Sequence, residues 1–175
     1  MQKKLLIIYS SVDGQTLKIC NAIIKKLEAH NQSADLFSIN DFDGSLEEYD
    51  TIVIGSSIRY GVHHKKIIEF INTNQKVLES KKSVFFSVNL VARKAEKNSP
   101  TTNAYVVKFF KTISWKPTYV EVFAGKIDYK KYTFFDRIMI QFIMWMTKGP
   151  TNKDAEIEYT NWERVDTFAE KLLSL

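Results

Sequence analysis

Four short, mostly apolar runs, each followed by a stretch of helical periodicity, constrain the fold of this chain most. They are Leu5-Leu6-Ile7-Ile8-Tyr9, Thr51-Ile52-Val53-Ile54-Gly55, Ser83-Val84-Phe85-Phe86-Ser87-Val88 and Tyr119-Val120-Glu121-Val122-Phe123-Ala124-Gly125. Their length and β-branched or aromatic content mark strands. A fifth segment, 34–39, alternates as a strand with one wet face. Central runs that are apolar throughout need cover on both faces, as in a parallel sheet wrapped by helices. The pattern predicts strands at 4–10, 34–39, 51–55, 83–88 and 119–125. Helices are expected at 15–29, at 63–79 with a break near Asn72-Thr73-Asn74, and at 101–112. A last helix should open at Thr160, with Glu163 completing a capping box, and run to Leu173. The fold class is therefore α/β, a five-stranded, doubly wound parallel sheet forming one domain over 1–175, with no internal repeat, low-complexity tract or linker.

The first strand breaks into Ser10-Ser11-Val12-Asp13-Gly14-Gln15-Thr16, and helix periodicity begins at once with Leu17, Ile19, Cys20, Ile23, Ile24 and Leu27. The first amides of a helix lack partners within it and sit at the positive end of its dipole, so they bind anions. Ser10, Ser11 and Thr16 add hydroxyl donors, and Gly14 lets the backbone come close. No Lys follows the glycine, so this is not a Walker P-loop, and no G-x-G-x-x-G is present. A phosphate held by hydroxyls and amides suits a small phosphorylated cofactor. The plain alternative is an ordinary strand-to-helix turn with a Ser or Asp cap. Its place at the carboxyl end of a strand favours a ligand.

One segment breaks the rhythm. Residues 126–159 separate the last strand from the last helix, where about 2–6 residues are usual. Residues 126–150 form a basic, aromatic insertion near strand 5. Over 126–148, five basic side chains (Lys126, Lys130, Lys131, Arg137, Lys148) face two acidic ones, Asp128 and Asp136. The helical part, Phe134 to Met146, is apolar nearly all round but shorter than the roughly 20 residues that span a bilayer. Two readings stand side by side: a buried helix, or an interfacial element with aromatic rings at headgroup depth and cations on anionic lipid; if the segment is exposed, it is a candidate membrane or hydrophobic-substrate element.

Charge bears on partners. Lys and Arg number 25 and Asp and Glu 20, a formal charge of +5, so an anionic partner is expected. The lysines are dispersed and no nucleic-acid motif accompanies them, so nucleic acid is not expected. Cys20, the sole cysteine, lies on the apolar face of the first helix and reads as a buried structural thiol, compatible with a reducing compartment. His30, His63 and His64 have no metal-ligand spacing with Cys or acidic residues, and His63 and His64 read as solvated; no metal is expected. The chain enters a strand directly, so no signal peptide is expected.

The order of elements, with a phosphate turn after strand 1, resembles a flavodoxin, and Ser10 to Thr16 matches that family's T/S-T-x-x-G-x-T loop for flavin mononucleotide (FMN). The resemblance implies two ring-side loops after strands 3 and 4, here Ser56-Ser57-Ile58-Arg59-Tyr60-Gly61 and Asn89-Leu90-Val91-Ala92-Arg93-Lys94. Electron-carrier flavodoxins are acidic with a Gly- and Asp-rich third loop. This chain is basic, and 87–94 holds no Gly, Asp or aromatic residue. The strings 55–61 and 87–94, with Tyr132, Asp136-Arg137 and Tyr159-Thr160-Asn161-Trp162-Glu163, more closely resemble the flavodoxin-like, quinone-dependent protoporphyrinogen IX dehydrogenases of bacterial haem synthesis.

That resemblance implies an FMN enzyme, peripheral on the cytoplasmic face of the bacterial inner membrane. It would oxidise protoporphyrinogen IX to protoporphyrin IX and pass electrons to menaquinone or ubiquinone. The cofactor residues it implies are Ser10 to Thr16, Ser57, Ile58, Arg59, Tyr60, Ser87, Val88, Asn89, Leu90 and Val91. An apolar macrocycle with two propionates needs cations beside an apolar face, and Arg59, Arg93 and Lys94 are the candidates, with Lys97 nearby. Tyr60 is expected either to cover one flavin face or simply to pack. Cations near the flavin would raise its potential. No general base is evident, and hydride transfer to the flavin would leave the protein to bind, orient and exclude. The rival readings are an electron-transfer flavodoxin and an NAD(P)H-dependent quinone reductase.

Overall fold

The computed structural model describes residues 3–146 and 148–175. Its sheet follows the order β2 (Ala34–Ser38), β1 (Leu5–Ser10), β3 (Thr51–Arg59), β5 (Lys82–Asn89), β6 (Tyr119–Ala124), all parallel. This 2-1-3-4-5 order of the parallel strands places a switch point between β1 and β3, where ligands bind outside the strands' carboxyl ends. The expected five-stranded doubly wound sheet is therefore present. A short β4 (Val62–His63) adds an antiparallel partner to the end of β3.

The apolar strands are two-faced. Along β1, Leu5 and Ile7 join the core under α1 (Gln15–Glu28) and α6 (Trp162–Ser174), with Ile19, Ile23, Phe168 and Leu172. Leu6 and Ile8 point the other way, into the core under α2 (Lys65–Thr73), α3 (Gln75–Ser80) and α4 (Ala104–Thr112), with Ile67, Leu78 and Phe109. The period-2 alternation of a strand thus feeds two helix layers from one run. Gly55 marks a close approach: a Cβ there would lie 2.2 Å from Phe86 Cζ. Phe86 in turn packs edge-on against Phe123 and Phe168.

Several expected boundaries move. β3 runs to Arg59, so Ser56 to Arg59 are strand residues rather than loop. The expected helix break falls at Asn74, between α2 and α3. α6 does not open on a Thr160 capping box. Asn161 is its N-cap, accepting from the Arg164 amide at 3.1 Å, while the Thr160 hydroxyl donates to the Ala124 carbonyl at 2.8 Å. Thr160 is thereby spent on the end of β6 and cannot cap.

The insertion is a built unit. β7 (Lys126–Asp128) pairs antiparallel with β8 (Glu156–Glu158), and α5 (Phe134–Met146) lies between them. The unit therefore closes at 158, beyond the expected 150. Ile127, Tyr129, Tyr132 and Met144 form its own small core against Leu90 and Tyr159.

Candidate functional site: a cleft at the carboxyl ends of the sheet

β1 ends at Ser10, and the chain turns through Ser11 to Gly14 into α1. The Ser11 hydroxyl accepts from the Gly14 amide at 3.1 Å. Gly14 has φ 87° with no atom near a built Cβ, so the backbone conformation, rather than crowding, requires glycine. No side chain caps α1, which leaves its first amides available to a ligand. Thr16 is fully buried, lines the cleft, and its hydroxyl has no hydrogen-bond partner. A buried hydroxyl without a partner is costly unless a ligand fills the role. Beside a helix N-terminus, it fits a phosphate.

The other turn residues divide. Ser11, Asp13, Gln15 and Thr16 line the cleft. Gly14 lines an adjoining hollow with Lys18, Lys126 and Lys131. Ser10 does not face the cleft: it is buried at the end of β1, its hydroxyl 3.0 Å from that of Ser56. Val12 is exposed to solvent. The Gln15 amide nitrogen donates to Thr160 Oγ1 at 2.8 Å and to Glu158 at 3.3 Å, tying the turn to β8.

The second side of the cleft is the β3–β4 hairpin, with Ser57, Ile58, Arg59, Tyr60 and Gly61. Its two central residues, Tyr60 and Gly61, have φ 51° and 79°. Positive φ at both is what a two-residue hairpin turn of type I′ demands, and for tyrosine it is strained. Tyr60 is exposed, and its hydroxyl donates to Asp136 at the start of α5. Arg59 donates to Asp13 at 3.0 Å and to Asp136, and sits 5.9 Å from the centre of the Tyr132 ring. Asp136 also accepts from the Thr133 hydroxyl at 2.8 Å. The Tyr60 and Thr133 hydrogen bonds hold its carboxyl below the usual carboxylate range. Burial raises Asp13 against the opposing pull of Arg59.

The third side is the end of β5. Val88, Asn89, Leu90 and Val91 line the cleft; Ser87 lies behind them, buried. Asn89 caps the 3-10 turn 90–93, accepting from the Ala92 amide at 3.0 Å. Of the candidate substrate cations, only Arg59 lines the cleft. Arg93 donates to the Leu90 carbonyl at 2.9 Å and lines a separate hollow with Tyr159 and Arg164. Lys94 is half-buried on the same turn, outside the cleft lining.

The fourth side is the insertion, expected from the sequence only as a membrane or substrate element. Met139, Ile140 and Ile143 of α5 line the cleft with Tyr132 and Lys126, so the insertion forms a wall of the site. Asp136 ties it there, and one signal for it existed. Thr133-x-x-Asp136 is a helix-start pattern, and the Thr133 hydroxyl does accept from the Asp136 amide, at 3.3 Å. The opposite side of α5 leaves Phe134, Phe135, Ile138, Phe142 and Trp145 exposed, the last by 70%. α5 is thus neither simply buried nor simply interfacial: one side closes the cleft and the other faces solvent.

The cleft holds about 810 Å³ of empty space, counting the part open to solvent. Cys20 is buried, and burial raises its thiol, so it takes no part. His63 is not solvated: it is 4% exposed, and burial lowers it to about 3. Among the described residues there is no group of side chains that could hold a metal ion, and no helix long and apolar enough to cross a membrane.

Comparison with known proteins decides the family. The sequence matches the flavodoxin domain family over residues 6–154. It is 41% identical over 173 residues to protoporphyrinogen IX dehydrogenase [quinone] of Escherichia coli K12, covering 98% of this chain and 96% of that protein. The chain belongs to the flavodoxin-like protoporphyrinogen IX dehydrogenase family. A member from Leishmania major is 41% identical over 174 residues, 98% of this chain and 75% of its own. Solved flavodoxins share the fold at low identity. A short-chain flavodoxin associated with a bacterial microcompartment aligns with TM-score 0.56 and 14% identity over 99% of this chain and 98% of its own. The Fusobacterium nucleatum flavodoxin, solved bound to flavin mononucleotide, aligns at 0.52 and 11%, over 99% and 98%. A dehydrogenase of this family is a flavoprotein.

Proposed function

We propose that this dehydrogenase binds FMN in the cleft and oxidises protoporphyrinogen IX to protoporphyrin IX, passing the electrons to menaquinone or ubiquinone at the membrane surface. The observation that carries the reading is the two-sided α5. Met139, Ile140 and Ile143 close the cofactor cleft, while the other side of the same helix exposes Phe135, Phe142 and Trp145. A redox cleft walled by an apolar, outward-exposed helix suits lipophilic reactants at both ends of the electron path.

When bound, the flavin supplies hydride acceptance and two-electron release. The protein's own part is binding and orientation. The amides opening α1, with the Ser11 and Thr16 hydroxyls, hold the phosphate. Ser57 to Tyr60 and Val88 to Val91 flank the ring. Arg59 offers a planar cation to a substrate propionate, and reaches one by exchanging Asp13 or Asp136 for the incoming carboxylate. Arg93 and Lys94 lie on the turn after β5 outside the cleft lining, so they meet the second propionate only where the macrocycle extends past that turn. Aromatic side chains of α5, with exposed Lys130, Lys131 and Lys148 nearby, suit an anionic bilayer surface on the cytoplasmic face of the inner membrane.

The experiment mixes FMN-loaded protein anaerobically with protoporphyrinogen IX, follows flavin bleaching and porphyrin fluorescence, then adds a menaquinone analogue. Bleaching with porphyrin formation and quinone-dependent reoxidation is expected. An FMN-loaded protein inert to the porphyrinogen, or one turned over by NAD(P)H instead, would overturn it.

A further inference from the structure

Beneath the cleft lies a buried polar chain that joins two of its sides. His63 ends the hairpin that carries Ser57 to Gly61, paired with Ile58 across β3 and β4. Its Nε2 is 2.9 Å from the Ser87 hydroxyl. That oxygen also accepts from the Asn89 side-chain amide at 3.2 Å. Asn89 Oδ1 accepts from the Ala92 amide at 3.0 Å and from the Asn103 side chain at 3.1 Å, and Asn103 donates onward to the Lys97 carbonyl at 2.8 Å. All four side chains are at most 4% exposed. The cleft-lining residues Asn89, Leu90 and Val91 belong to this turn.

Ser87 accepts from Asn89 and shares one hydrogen bond with the neutral His63 imidazole at Nε2, the tautomer setting which of the two donates. Burial in an aromatic pocket enforces that neutral form. The ring lies 4.5 Å from that of Phe109 and 5.4 Å from that of Phe85, with no charged side chain bonded to it among the described contacts. Buried polar networks that are fully satisfied fix geometry, and removing one member leaves the rest unpaired. A phenylalanine would pack at position 63 as well as histidine does, and would sever the chain.

We infer that His63 is a positioning residue: through Ser87 and Asn89 it sets the spacing of the hairpin 57–61 against the turn 89–93, and so the width of the slot between them for the flavin ring. This rests on the flavin reading of the cleft. His63 does not line the cleft and acts here without proton transfer.

The test compares wild type, His63→Phe, Ser87→Ala and the double variant for FMN affinity by fluorescence quenching, for the visible circular dichroism of bound FMN, and for thermal stability. His63→Phe keeps the aromatic packing and removes the hydrogen-bonding nitrogen. One severed bond should weaken FMN about three- to tenfold and change the visible dichroism. Ser87→Ala should do the same, and the double variant should be little worse than either single one, because both break one chain. His63→Gln, which restores a hydrogen-bonding side chain, should recover most of the loss. Loss of thermal stability with unchanged FMN affinity and dichroism would make His63 a packing residue and overturn the inference, as would additive effects in the double variant. Failure of wild type to bind FMN would instead overturn the flavin reading, so the two failures are distinguishable. Should both single variants fail to fold, His63→Leu severs the same bond with a smaller apolar side chain, and unchanged FMN dichroism there would overturn it equally.

Discussion

Asp136 on α5 accepts from Arg59 at the end of β3, 77 residues earlier, and Arg59 holds Asp13 of the turn before α1 with its other terminal nitrogen. One guanidinium therefore joins the insertion, the hairpin and the α1 turn across the mouth of the cleft. The pair Arg59–Asp136 is only slightly exposed on the acid's side, and a shielded, doubly bonded guanidinium is worth more than a surface ion pair.

Replacing Asp136 with Asn should loosen α5 without unfolding the sheet. The variant should be cleaved by trypsin after Lys130, Lys131 or Arg137 severalfold faster than wild type, while far-UV dichroism and the unfolding midpoint of the main domain stay close to native. Equal cleavage rates would show that α5 is held by its apolar side alone.

The acid titrates in a defined direction. Its carboxyl is depressed in the folded protein, so the stabilisation it provides is present above the unfolded carboxylate value of about 3.9 and is lost as pH falls through its lower folded value. A carbon-detected NMR titration should place the Asp136 midpoint below that of a model aspartate. Asp13, raised by burial, should titrate above it. The reverse order would contradict the geometry.

Thr16→Val removes a buried hydroxyl that has no partner within the protein, so the apo protein should lose no stability. FMN binding should fall by about 10- to 100-fold, the range for a hydrogen bond to a charged group. Riboflavin, which lacks the phosphate, should bind both proteins alike. Isothermal titration with the two ligands separates the outcomes, and equal losses for both would place Thr16 away from the phosphate.

Gly55→Ala drives a Cβ into the Phe86 ring. Overpacking of this kind costs about 1–3 kcal/mol, readable as a lower urea midpoint at unchanged slope. Adding Phe86→Leu should recover part of the loss; a double variant no better than Gly55→Ala would place the strain elsewhere.

Phe142→Ser with Trp145→Ser alters only exposed side chains and should leave FMN binding and thermal stability near native. Co-sedimentation with vesicles containing anionic lipid should drop about tenfold or more, from the lost burial of two aromatic rings. Undiminished sedimentation would remove α5 from the membrane contact.

What the sequence disclosed and what it concealed follow from the range of the forces involved. β1, β3, β5 and β6 were legible because each must satisfy two helix layers with one apolar run. The turn from β1 into α1 was legible because Gly14 acts locally. Tyr60 at positive φ, the burial of His63 and the swap of cap from Thr160 to Asn161 were not, since each is decided by a partner far along the chain: Asp136, Ser87 and Ala124 respectively. The role of α5 was half legible. Its composition told of apolar contact on all sides, but only the β7–β8 pairing turns one side toward the cleft.

That pairing has a further consequence. Lys126 sits opposite Glu158, and the Tyr159 amide donates to the Gly125 carbonyl at 3.0 Å, so the insertion leaves and rejoins the sheet at one point. With a miniature core of its own, it is a cassette rather than a swollen loop. A short turn joining Gly125 to Tyr159 could bridge the gap left by the cassette's 33 residues, at the cost of the contacts it makes with Arg59, Tyr60 and Leu90.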